Sequence, residues 1–79
     1  MTDLNSALLS RLKEDLEGMG VEVCQHDDML TLCAHPWMIL TDGRYFFIVA
    51  YDGRRTGLRI VPGVSYEIFQ YIKEGHDGS

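Results

Sequence analysis

The chain is poor in the features that would announce a function. Its longest uninterrupted apolar run, Tyr45 to Tyr51, is far short of the roughly 18 residues a membrane span needs. The first residues, MTDLNSALLSRLKEDLEG, are amphipathic and acidic where a secretory leader would be basic and then apolar. These two absences lead to the expectation of a cytoplasmic protein without a membrane segment. None of the patterns G-x-x-x-x-G-K, G-x-G-x-x-G, H-E-x-x-H or G-x-S-x-G occurs, so phosphate cradles, zincin helices and nucleophile elbows find no support. Basic residues are scarce as well. Seven Lys and Arg against twelve Asp and Glu leave a net charge of −5, which opposes charge-driven attachment to nucleic acid. Two cysteines are too few for a stapled miniature scaffold and are expected as free thiols.

What is present is an ordinary globular composition, 46% apolar and 24% charged. It is expected to form one domain over residues 1–75, with a disordered tail at 76–79. A chain this short buries only about 60% of the surface it exposes when unfolded, so each large apolar side chain matters.

Leu4, Leu8, Leu12 and Leu16 recur every fourth residue and Ala7 and Leu9 widen the stripe, which predicts an amphipathic helix over 3–17. Asp3 is its expected cap, and Gly18 or Gly20 its terminator. The period then shortens to two. Val21, Val23, Leu30, Leu32 and Ala34 fall on one face of a hairpin turning at HDDM, and WMIL opens a new strand after Pro36. Asp42-Gly43 is expected as a two-residue turn into RYFFIVAY, and DGRRTG as the next turn, before a fifth strand LRIV. Pro62 and Gly63 break that strand, and SYEIFQYIKEG predicts a closing helix from Ser65 as cap to Gly75. The expected fold is therefore α+β: a helix, an antiparallel meander of about five strands, and a helix, with both helices on one face of the sheet.

Cys24, His26, Cys33 and His35 are the candidate metal ligands, since the hairpin register points all four to one side. Cys24 and Cys33 are diagonal neighbours roughly 7 Å apart, but His26 and His35 lie six positions apart along the ladder, on the order of 20 Å. Donors about 2.0 to 2.3 Å from one zinc cannot be so spread, and no metal or other cofactor is expected. A Cys24–His26 pair oriented by Asp28 is the candidate nucleophilic centre, but nothing in the local sequence supplies an oxyanion site, and the expectation is that the protein is not an enzyme. Glu14-Asp15 and Asp27-Asp28 read as a solvated helix face and a polar turn.

The remaining signal is the second face of the sheet. An even-sized loop after Tyr51 places Met38, Leu40, Tyr45, Phe47, Val49, Tyr51, Leu58 and Ile60 under the helices. The opposite, uncovered side then carries Trp37, Ile39, Arg44, Phe46, Ile48, Ala50, Arg59 and Val61. An odd-length loop would exchange these faces, and a curled sheet would bury both. Arg44, Arg54, Arg55 and Arg59 cluster within sixteen positions. The expected contact set is Trp37, Ile39, Arg44, Phe46, Ile48, Arg54, Arg55 and Arg59, binding a second copy of the chain or another protein. Single-stranded nucleic acid or an acidic ligand is the alternative occupant, because aromatics on a sheet flanked by arginines suit stacked bases. The order of acidic helix, strand meander and closing helix resembles the small dimeric chaperone-like domains associated with bacterial secretion, over the whole chain and without a diagnostic motif. No residue roles follow from that resemblance.

Overall fold

The computed structural model describes residues 4–26, 28–33, 37–50 and 52–75. Asp3, Asp27, Ala34, His35, Pro36, Tyr51 and the tail 76–79, to which the sequence assigned a cap, turn, face, ligand or disorder, lie outside them. A helix α1 (Leu4–Gly18) is followed by β1 (Val23–His26), β2 (Met29–Leu32), β3 (Met38–Thr41), β4 (Tyr45–Val49), β5 (Arg55–Arg59) and a helix α2 (Val64–Gly75). The strands form one antiparallel sheet in the order β1-β2-β3-β4-β5, and both helices pack against it. This is the α+β meander the sequence predicts.

The stripe of α1 is rotated from the one expected. Leu9, Leu12 and Leu16 are buried, Leu8 only partly, and Leu4 is 67% exposed. A helix gathers residues three, four and seven apart on one face, and Leu9, Leu12 and Leu16 obey that spacing, whereas a strict four-residue repeat drifts around the axis. The helix ends in a Schellman motif. The Val21 N–H donates to the Leu16 carbonyl and the Gly20 N–H to the Glu17 carbonyl, both at 3.0 Å, with Gly20 at φ +92. At the other helix, the Gly63 carbonyl accepts from the Tyr66 and Glu67 N–H groups. Gly63 therefore stands at the cap, and Ser65, expected there, already lies inside the first turn. Val64, Ile68 and Ile72 are its buried face.

The first hairpin has the expected register, Cys24 opposite Thr31 and His26 opposite Met29. Between β3 and β4 the pairing is Thr41 with Phe46 and Leu40 with Phe47, two residues from that of a two-residue turn. Asp42 is the cause, because its Oδ1 accepts from the N–H groups of both Arg44 and Tyr45, at 2.8 and 2.9 Å, and stretches the connection to four residues. An even shift leaves the faces of β3 and β4 unchanged.

The next loop is odd. The Ala50 N–H donates to the Arg54 carbonyl, so three residues intervene, with Gly53 at φ +90. Strand β5 starts at Arg55, earlier than LRIV. Phe46 accordingly pairs with Leu58, and Tyr45 with Arg59.

The covered face is also the reverse of the expected one. Ile39, Phe46 and Ile48 are 0%, 3% and 2% exposed and sit in the core with Val23, Leu30, Leu32 and the helix residues. Trp37 is half-buried against that core, 5.5 Å from the ring of Tyr71 on α2, and Leu58 joins it. The expectation that Trp37, Ile39, Phe46 and Ile48 form an uncovered surface is thus overturned. Their side of the sheet receives the helices, since three β-branched or aromatic side chains on adjacent central strands offer α1 and α2 a contiguous surface to bury.

Candidate functional site

The uncovered face is built by the alternate residues. From the register it carries Met29, Met38, Leu40, Tyr45, Phe47 and Val49, flanked on β5 by Arg55 and Arg59. Met38 and Tyr45 are 36% and 40% exposed, and Met29, Leu40, Phe47 and Val49 are half-buried by one another. A side chain on a single sheet with nothing above it is shielded only by its lateral neighbours, which accounts for these intermediate values.

Phe47 is the centre. Its ring lies 6.1 Å from that of Tyr45 and has the Arg55 guanidinium carbon 5.7 Å from its centroid. The opposite residue on β5 is Gly57. A Cβ there would fall 3.2 and 3.3 Å from two carbons of the Phe47 ring, so the missing side chain is what lets the ring lie across the strand. The result is a flat aromatic surface edged by guanidinium groups.

The arginines expected to act together divide. Arg55 and Arg59 are exposed on this face. Arg54 donates from Nε to Asp52 Oδ2 at 2.9 Å across its own loop, and Arg44 is exposed in the β3–β4 connection, where its carbonyl accepts from the Ile60 N–H. Asp42 and Asp52 serve their loops with lowered pKa values. For Asp42 the cause is the Arg44 N–H and then that of Tyr45. For Asp52 it is the Arg54 N–H, followed by its charge and side chain, against some desolvation.

At the far edge of the same face lie the cysteines. Cys24 and Cys33 are free and exposed, and their sulfurs are 3.2 Å apart, much nearer than their diagonal positions suggest. The His26 ring reaches diagonally to Thr31, with Nε2 and Oγ1 3.2 Å apart, and His35 lies outside the described residues. Among the described residues no group of three or more His, Cys, Asp or Glu is arranged to hold a metal ion. No described helix is long and apolar enough to cross a membrane.

On the helix side, a cleft of about 310 Å³ opens between α1 and the β5–α2 connection, lined by Leu8, Arg11, Asp15, Phe46 and Val64 among others. Its charged groups, Arg11 and Asp15, are exposed and its floor belongs to the core.

Spacing in the sequence sorted the side chains of β3 and β4 into two faces but not which was covered; it grouped Leu58 with Phe47 and Arg59 with Phe46, where the register pairs Leu58 with Phe46 and Arg59 with Tyr45, and it missed Met38, Leu40, Tyr45, Phe47 and Val49 as the open surface. The signal that could have found them is the parity of Arg55 and Arg59 with Tyr45, Phe47 and Val49 across a glycine-containing odd loop. No protein-family model matches the chain, and no curated protein or solved structure is significantly similar to it.

Proposed function

We propose that the protein is a small, non-enzymatic, cytoplasmic interaction module that pairs with a second copy of itself, or serves as a subunit, through the sheet face centred on Phe47. The observation that carries this is the uncovered row Met38, Leu40, Tyr45, Phe47 and Val49 on a domain with little burial to spare. Charge favours a second copy as occupant. Arg55 and Arg59 edge the face on β5, and Glu22, next to Cys24 and opposite Cys33, edges it beyond β1. A two-fold axis along β3 sets the β5 edge of one protomer over the β1 edge of its partner, bringing Arg55 within two residues of the level of Glu22 twice, while Arg59 falls level with the β1–β2 turn. Two such faces stack as in an aligned sandwich.

Light scattering on the eluting protein tests this. The expected result is a dimer for the wild type and a folded monomer for Phe47→Asp, because an unpaired carboxylate at the centre of a dry contact is strongly unfavourable. A wild type still monomeric at about 1 mM, where an interface worth only about 4 kcal/mol would be half formed, overturns it.

A second reading has its own observation, the Arg55 guanidinium over the Phe47 ring with Arg59 beside Tyr45, an arrangement suited to stacked bases. A dissociation constant for single-stranded nucleic acid below about 1 μM at physiological salt would favour it over self-association.

A further inference from the structure

We propose that Cys24 and Cys33 form a thiol–disulfide exchange site that takes low-molecular-weight disulfides such as glutathione disulfide and closes to an intramolecular disulfide within the folded hairpin. The two sulfurs are 3.2 Å apart on adjacent strands, both residues are exposed, and neither thiol is engaged elsewhere in a disulfide. A disulfide needs about 2.05 Å, so a side-chain adjustment of roughly 1 Å completes the bond without moving the ladder. That ladder fixes the pair from both ends. Cys24 pairs with Thr31, and the Cys33 N–H donates to the Glu22 carbonyl at 3.2 Å. The outermost strand is also anchored from below, where Gln25 accepts from the Ser10 hydroxyl and donates to the Ser6 carbonyl.

The roles of the two sulfurs differ. The pKa of Cys33 is raised, first by the hydrogen bond with Cys24, then by desolvation and the charges of Cys24, Glu22 and Glu17, which makes it the less ready nucleophile. Cys24 attacks first. Its thiolate bonds to one sulfur of the external disulfide, whose S–S bond breaks, and the departing half leaves as a thiolate that takes up a proton. Cys33 then loses its proton to solvent and attacks the Cys24 sulfur, and the second half leaves and is protonated in turn. Two protein thiols have been oxidised by two electrons, and one disulfide has become two thiols.

The test is equilibration of the reduced full chain in glutathione buffers of graded redox ratio, read by intact mass. The expected product is a single chain without an intermolecular disulfide, lighter by two hydrogens, formed in buffers at least about 10-fold more reducing than those that close the same chain in urea, because the fold supplies the effective concentration. Cys33→Ser is expected to stop at a stable glutathione adduct on Cys24, with its circular dichroism unchanged. Closure equally easy in urea, double glutathione adducts in the wild type, disulfide-linked dimers, or no reaction would each overturn the proposal.

Discussion

Phe46 and Phe47 are consecutive residues with opposite fates, and truncating each in turn measures the assignment of the two faces. Phe46 is 3% exposed beneath the helices, and its replacement by alanine removes a whole ring from a packed core, at about 3 to 5 kcal/mol. Phe47 loses partial shielding, the contact with Tyr45 and the Arg55 guanidinium, together about 1 to 1.5 kcal/mol. A chain of 79 residues has about 4 to 12 kcal/mol to lose, so Phe46→Ala approaches the limit of folding and Phe47→Ala does not. Urea titration followed by circular dichroism, at chain concentrations too low for association, reads both. With a slope near 1 kcal/mol per molar, the Phe46→Ala midpoint is expected to fall by about 3 M or more and that of Phe47→Ala by about 1 M. Equal costs, or a larger cost for Phe47→Ala, would refute the placement of the helices on the Ile39–Phe46–Ile48 side.

Gly20→Ala is expected to lower stability by about 1 to 2 kcal/mol in the same titration, because Gly20 holds φ +92 in the Schellman turn and a Cβ there is strained even in open space. Tyr71→Phe removes the 3.0 Å hydrogen bond with Thr56 and is expected to cost about 1 kcal/mol while leaving the Trp37 contact in place. Asp42 has a folded pKa below the ordinary 3.8, so its charge stabilises the fold above that value and the contribution is lost as pH falls through the folded pKa. Thermal melts of Asp42→Asn and wild type should therefore differ at pH 7 and converge as the acid range is entered; parallel curves would contradict this. Gly57→Ala is expected to tilt the Phe47 ring and weaken self-association, measurable as a higher dissociation constant with little change in the melt.

The elements were legible because their signals are local. Val23, Leu30 and Leu32 alternate with polar neighbours, so the first hairpin declares both its register and its inner side. Strands β3 and β4 do not. MIL and FFIV are apolar at every position, period two carries no preference between Ile39 and Met38 or between Phe46 and Phe47, and the decision falls to helices distant in sequence. The Asp42 loop illustrates a second limit. Its Asp-Gly pair indicated a turn, but the side-chain acceptor that lengthened it belongs to the same aspartate that indicated the shorter one. The proximity of the two sulfurs follows from strand twist, which brings one diagonal of an antiparallel pair close and opens the other, and no residue pattern records that.

The three-residue connection at 51–53 carries a constraint of its own. Lengthening a surface loop by one residue costs little closure entropy, and the Gly53 conformation can be supplied by other turns. Yet a single insertion or deletion there would rotate β5 by half a pleat, sending Arg55 and Arg59 toward Ile68 and Ile72 and bringing Leu58 out to solvent. Two unpaired guanidinium groups in so small a core would abolish folding. Changes of length in this loop are therefore admissible only in steps of two, however freely its residues vary.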